Sequence, residues 1–279
     1  MKQFRNMLYP YVVWLFIMVL VPMLMILLYA FTTAGNEVTT FRFTLDNFSR
    51  FLTDTVFLDV LKRSLLIAVV TTVVCVLLGY PIAYTIAKGP ERSGFFWIML
   101  ITLPTWINML VLTYAWVGIL QDDGLVNRFL GMLGIGSFHM LYTTFAVVLG
   151  MVYNFIPFMI LQIHSSLAKM DKSLLEAASD LGATPMQRFL KVTLPLSLPG
   201  VLGGMRLVFR PAVSRFFSPK LLGGGQYVVV GNGIETQFLT SGDWNFGSAI
   251  SLIRGVIIML SMWLTRKVDT DPAANGKGA

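Results

Sequence analysis

The side chains that usually carry covalent or acid–base chemistry are few in this sequence and poorly placed for it. His139 and His164 are its only histidines, and they flank opposite ends of one apolar run. There is no HExxH, no GxSxG and no pair of carboxylates inside an apolar stretch, so hydrolytic or metallohydrolase chemistry has no residues to carry it. A phosphate cradle of the form GxxxxGK[ST] is also missing. The only Gly-Lys pair, Gly276-Lys277, sits in a polar tail with no Ser or Thr after it. Cys75 is the single cysteine, which excludes an intrachain disulfide and any CxxC site. What remains is recognition chemistry. Trp106, Asn108, Tyr114, Trp116, Tyr153, Asn154, Asp243 and Trp244 lie in or beside apolar runs. Aromatic rings there can enclose alkyl segments or stack on cations, a carboxylate can pair with an ammonium, and an amide at membrane depth is costly to leave unsatisfied. The same residues also serve blander ends: Trp and Tyr gather at membrane interfaces, and amides bond neighbouring helices.

The elements that must position these groups follow from composition. Of 279 residues, 56% are apolar and 13% charged, against about 25% charged in an average soluble domain. With a mean hydropathy of +0.72, much of this surface must face lipid. The net charge of +7 forms no continuous basic stripe, so nucleic acid is not an expected partner. No charge occurs between Arg5 and Glu37, Arg63 and Lys88, Arg92 and Asp122, or Arg128 and Lys169. Crossing a hydrocarbon core takes roughly 20 helical residues, so these gaps predict spans near 10–31, 64–87, 95–120 and 141–163. Two weaker spans are expected near 196–217 and 246–265. The first apolar run, Met7 to Tyr29, exceeds the roughly 7 to 15 residues of a signal-peptide core and is expected to remain as a helix.

The fold class expected is all-α, a polytopic membrane protein of six transmembrane helices in a single transmembrane domain over 1–279, with a polar tail at 268–279. Lys and Arg collect on one side of this arrangement. Lys2, Arg5, Lys88, Arg92, Lys169, Lys172, Arg188, Lys191, Arg266, Lys267 and Lys277 share a side, against Arg42, Arg50, Lys62, Arg63, Arg128 and Lys220 on the other. Cytoplasmic loops carry the basic excess, so both termini are expected to be cytoplasmic.

One inner connection, 169–195, has a pattern of its own. In KMDKSLLEAASDLGATPMQRFLKVTLP, Leu174, Leu175, Ala178 and Leu181 recur at helical spacing while Asp171, Lys172, Glu176 and Asp180 take other positions. Gly182 permits the backbone to leave the first helix, and Thr184-Pro185 reads as the cap and first residue of a second, expected to end at Pro195. Two short helices joined at a glycine make a compact knob. On periodicity alone, an interfacial helix lying on headgroups fits equally well.

The residue identities add to this reading. Glu176-Ala177-Ala178, three residues, Gly182, nine residues, Val192, one residue, then Leu194-Pro195 resembles the EAA loop of ABC importer permeases, with valine where isoleucine is usual. The stretch LLEAASDLGATPMQRFLKVTLPLSLPG, together with GYPIAYTIAK from Gly79 and KLLGGGQYVVVGNGIETQF from Lys220, is most similar to the spermidine/putrescine permease group. The resemblance implies a type I, MetI-like permease of the inner membrane. It also implies a second permease subunit, a cytoplasmic ATPase dimer and an extracytoplasmic solute-binding protein as partners. ATP and Mg would then act on the ATPase chain, with no cofactor in this one, and polyamines would be the solute. Glu176, Ala177, Ala178, Gly182, Leu194 and Pro195 would couple to the ATPase. Trp106, Asn108, Tyr114, Asn154, Asp243 and Trp244 are the candidate pathway residues. An ion-coupled secondary transporter is the competing class; no repeat relates 1–140 to 141–279, and the loop has no part in that alternative.

The fifth span departs from the resemblance. MRLVFRPAVSRFF carries Arg206, Arg210 and Arg215, and Arg254 interrupts the sixth span. An arginine at a helix centre costs about 2.5–3.5 kcal/mol on insertion scales, so these need water, anions or carboxylates. Arg206 and Arg210 are four apart on one face, and with Arg215 they are expected to form one broad basic sector lining a central cavity. An anionic or neutral solute, pairing with acids on a partner permease, or impaired transport would each account for them.

Overall fold

The computed structural model describes residues 2–33, 42–215, 217–224 and 230–266. The polar tail expected at 268–279 lies outside the described residues. No strand occurs among them, only an isolated bridge between Thr32 and Phe43. The helices are α1 Lys2–Ala30, α2 Asp46–Thr53, α3 Thr55–Lys88, α4 Glu91–Thr102, α5 Met109–Leu120, α6 Leu125–Met132, α7 Thr144–Ala168, α8 Lys172–Asp180, α9 Pro185–Arg188, α10 Leu194–Ser214, α11 Phe217–Leu222, α12 Val230–Thr236 and α13 Trp244–Arg266. Five stretches are long and apolar enough to cross a membrane: Tyr9–Ala30, Thr55–Lys88, Met109–Met132, Thr144–Ala168 and Pro185–Ser214. Trp244–Leu260 is a shorter apolar helix. The chain divides into two compact units, Met1–Lys62 with Val230–Met259 and Arg63–Val229 with Leu260–Ala279.

In the first unit, the span of α1 is almost wholly uncovered: only Ala30 at its end is buried, and Trp14 and Phe16 are more than half exposed. A helix apolar on every side needs an apolar surround, and lipid supplies it. Its last carbonyls, which have no partner within the helix, are met by two amides. Asn47 Nδ2 donates to Ala30 O and Thr32 O at 3.0 Å. Asn245 Nδ2 donates to Tyr29 O at 3.0 Å and to Thr32 O at 2.8 Å. A small core of Phe51, Phe246 and Ile250 closes this unit, with Phe57 edge-on to Phe246 at 4.9 Å.

The second unit is built on α3, α7 and α10, whose buried faces supply most of its core. Helices α7 and α10 approach closely because glycines face large neighbours: Gly204 lies under Met159, and Gly200 lies against Ser166 and the Gln162 carbonyl. Small residues at such a seam let backbones pack where lipid offers no hydrophobic drive.

Three boundaries differ from the charge-gap expectation. Helix α3 starts at Thr55 and continues past Lys62 and Arg63, since charge limits insertion but not helicity. The stretch 95–120 is not one helix: α4 ends at Thr102, Leu103–Trp106 forms a single 3₁₀ turn, and α5 begins at Met109. Each half is about 18 Å long, and α4, the turn and α5 all pack on α7. Finally, the second loop helix does not end at Pro195. It runs through a π turn, Phe189–Thr193, directly into α10. The Leu194 N–H donates to Phe189 O, five residues back. A wider turn just before a proline removes the clash of its ring with the carbonyl four residues earlier, so the helix continues.

Candidate functional site

The 169–195 connection folds as a locked two-helix knob. Asp171 caps α8, its Oδ1 accepting from Ser173 N at 2.9 Å. That N–H, then the Ser173 hydroxyl, holds the Asp171 carboxyl below the usual aspartate range. At the other end of α8, Gly182 takes φ +77, its N–H donates to Ser179 O at 2.9 Å and Ala183 N donates to Ala178 O at 3.0 Å. These are the two bonds of a Schellman stop, which requires a left-handed residue at this position. Helix α9 opens with a reciprocal cap. Thr184 Oγ1 accepts from Gln187 N at 3.4 Å, and Gln187 Oε1 accepts from Thr184 N at 2.9 Å. Across the bend, Arg188 Nη1 donates to Ser179 Oγ at 2.7 Å.

This knob turns apolar groups outward. Leu181 is 88% exposed, Met186 65% exposed, and Leu174 and Leu190 about half exposed. Glu176 and Ala177 are exposed and Ala178 half-buried, so the residues of the motif lie on accessible surface. Leu194 is half-buried and Pro195 exposed, both inside the continuous helix.

Sequence reasoning missed how the knob is attached. Phe189, in the π turn, sits edge-on to Tyr80 at 5.8 Å and to Tyr84 at 5.3 Å, both on α3. Tyr80 Oη and Ser197 Oγ share a hydrogen bond of 2.8 Å, tying α3 to α10. Lys88 Nζ lies 4.4 Å above the Tyr84 ring. The tyrosines four apart in GYPIAYTIAK were the available signal, since that spacing stacks them on one face of α3.

The candidate pathway residues fall into two groups. In the second unit, Trp106 lies in the 3₁₀ turn and is 81% exposed, and Tyr114 on α5 is 60% exposed. Asn108 caps α5, its Oδ1 accepting from Leu110 N at 2.8 Å. Trp116 packs edge-on with Tyr153 at 5.3 Å. Asn154 Nδ2 donates to Gly150 O at 2.7 Å, which leaves its carbonyl oxygen for other partners. A pocket of about 90 Å³ joins the broken helix to α7, with Pro104, Thr105, Ile107, Tyr153, Asn154 and Arg215 among its walls. In the first unit, Asp243 is already paired: Arg50 Nη1 donates to its Oδ2 at 3.0 Å, and its Oδ1 accepts from Phe246 N at 3.0 Å. Trp244 sits edge-on to Phe238 at 5.5 Å and is 53% exposed.

The single basic sector expected from Arg206, Arg210 and Arg215 does not form. Arg206 and Arg210 line an apolar groove of about 240 Å³ with Val69, Thr72 and Met205. Arg215 follows the last residue of α10, in extended conformation, with its guanidinium 4.7 Å over the Phe155 ring of α7. Nine residues at about 100° each make about two and a half turns, which sets Arg215 on the side opposite Arg206 even before the helix ends. Arg254 is half-buried on α13.

Residues 76–271 match the family described as binding-protein-dependent transport system inner membrane component. The spermidine/putrescine transport system permease protein PotB of Salmonella typhimurium strain SL1344 is 38% identical over 265 residues, covering 94% of this chain and 92% of that one. The protein of the same name from Haemophilus influenzae is 38% identical over 269 residues, 92% of this chain and 94% of its own. Among solved structures, a chain of a bacterial alginate ABC transporter, in complex with an alginate pentasaccharide-bound periplasmic protein, shares the fold with a TM-score of 0.80. Its identity is 16%, and 96% of each chain is covered.

Proposed function

The chain belongs to the binding-protein-dependent transport system inner membrane component family, the permease subunits of ABC importers, and we propose that it is driven through Lys169–Pro195 by a separate ATPase. The observation that carries this reading is the knob itself. Capped at both ends and cross-tied by Arg188 to Ser179, it is rigid, yet it presents Leu174, Leu181, Met186 and Leu190 to solvent. Exposed apolar side chains on a braced element suit a docking surface for another protein. Ala177 and Ala178 allow close approach, and Glu176 is free to meet a basic or N–H group on that partner.

Displacement of the knob has two routes into the bundle. One is the unbroken helix from Pro185 to Ser214, and the other is Phe189 seated against Tyr80 and Tyr84 of α3. ATP and Mg belong to a cytoplasmic ATPase dimer, a second permease completes the pathway, and an extracytoplasmic binding protein delivers solute. The distribution of Lys and Arg supports a cytoplasmic position for both termini.

The relatives point to spermidine or putrescine as solute, with Trp106, Asn108, Tyr114, Asn154, Asp243 and Trp244 as pathway candidates. A second reading, an anionic solute, is favoured by the three arginines of 206–215 and by the engagement of Asp243 with Arg50. The test is uptake by proteoliposomes holding the complete assembly. ATP-dependent uptake that needs the ATPase and binding protein supports the proposal; uptake by this chain alone under an ion gradient without ATP would replace it with a secondary transporter.

A further inference from the structure

We propose that the pocket between the 103–107 turn and α7 holds an anionic group of the transported solute, a carboxylate, sulfate or phosphate, on Arg215. The inference rests on the reading of this chain as a pathway-forming permease.

Three independent features converge there. First, helical hydrogen bonding is interrupted at Leu103–Asn108, inside an otherwise apolar stretch. Non-helical backbone at membrane depth is tolerated only where protein covers it or it lines a watery cavity, and the pocket borders this turn. Second, Arg215 is half-buried, with its guanidinium carbon 4.7 Å over the Phe155 ring. One ring cannot take up all five N–H donors of a guanidinium, and these have no acceptor among the described residues. Among the described residues no carboxylate lines the pocket; its polar walls are Thr105, Tyr153, Asn154 and the guanidinium. A half-buried positive charge set among neutral polar groups is suited to an anion that arrives with the ligand. Third, Asn154 Nδ2 donates one hydrogen to Gly150 O, which orients its carbonyl oxygen as an acceptor beside the cation. The preferred solute therefore has an anionic group with a hydroxyl or ammonium donor adjacent to it.

Arg206 and Arg210 are internal controls, because they line a different groove. The experiment measures thermal unfolding of the full chain in zwitterionic lipid nanodiscs at matched ionic strength, with sulfate, glycolate, chloride or spermidine. Sulfate and glycolate are expected to protect the wild type. Arg215→Gln should weaken that protection at least about tenfold, the scale for truncating one partner of a desolvated charge pair. Arg206→Gln and Arg210→Gln should keep it. Should Arg215→Gln fold poorly, Thr105→Asp supplies a carboxylate from an exposed position in the pocket wall and is expected to abolish anion protection.

Equal anion protection in wild type and Arg215→Gln, or protection by spermidine alone, overturns the proposal. So does protection seen only in nanodiscs of anionic phospholipid, which would make the occupant a lipid headgroup. The measurement uses no ATPase, so its failure leaves the coupling reading standing, and loss of ATPase capture at the knob leaves the anion result standing.

Discussion

Gly182 offers the sharpest test of the knob as a mechanical handle. Its φ is +77, and a Cβ built on it meets nothing within 4 Å. Any effect of substitution is therefore conformational and cannot be relieved by repacking. A left-handed L-residue costs roughly 1–2 kcal/mol, less for asparagine and more for a β-branched side chain. If the backbone escapes that cost, it gives up the Gly182-to-Ser179 and Ala183-to-Ala178 bonds, each worth about 0.5–1.5 kcal/mol net. Either route disfavours the bent knob by about 2 kcal/mol in Gly182→Val, or roughly a 30-fold loss of its population relative to competing shapes. The series Gly182→Asn, Ala, Val should thus lower ATPase co-purification and ATP-driven uptake in that order, with asparagine nearly normal. Glu176→Lys, which leaves the bend intact, should weaken capture without following the series. Val and Asn variants that bind the ATPase and transport equally well would refute the reasoning.

Three further outcomes are expected. Phe189→Ala removes two aromatic edge contacts, each worth about 0.5–1.5 kcal/mol beyond burial, so it should preserve ATPase capture but reduce uptake per ATP hydrolysed, with Phe189→Leu intermediate; equal coupling ratios in all three proteins would show that α3 takes no drive from Phe189. Gly200→Ala places a methyl on Ser166 Cβ and 2.8 Å from Gln162 O, and should lower the thermal midpoint by an overpacking cost of about 1–3 kcal/mol. Gly203→Ala meets only the movable Gln162 Oε1 at 3.3 Å, so similar midpoints for the two variants would contradict the seam as described. Asp171, its carboxyl held below the ordinary range, caps α8 most strongly when ionised. The charged cap is complete at neutral pH, and its charge-assisted part is lost as pH falls through that lowered value, below the usual aspartate range. Hydrogen exchange over 172–175, corrected for intrinsic rates, should show this loss in the wild type and not in Asp171→Asn; parallel profiles would dissociate the cap from Asp171.

The parts legible in the sequence are those set by short-range physics. Lengths of uncharged apolar chain announced membrane helices because a backbone in lipid must satisfy itself. The knob was legible for the same kind of reason: the residues that stop its first helix and start its second, Gly182 and Thr184-Pro185, bond within a few positions of themselves. Pro195 misled because a proline's effect depends on the turn before it, and the π turn at Phe189–Thr193 removes the conflict. Pro104 lay in plain sight at the break of 95–120, yet an apolar run carries no mark of where its hydrogen bonding lapses. Other features join residues far apart in the chain. Phe189 meets Tyr80 and Tyr84, Arg215 lies on Phe155, and Asp243 pairs with Arg50 at a separation of 193 positions. Periodicity shows which residues share a face of one helix, but which faces meet is settled by shape and close packing among many helices together. That is why the membrane class and the two-helix knob could be read from the sequence, while the division of the arginines between two cavities was decided by the fold.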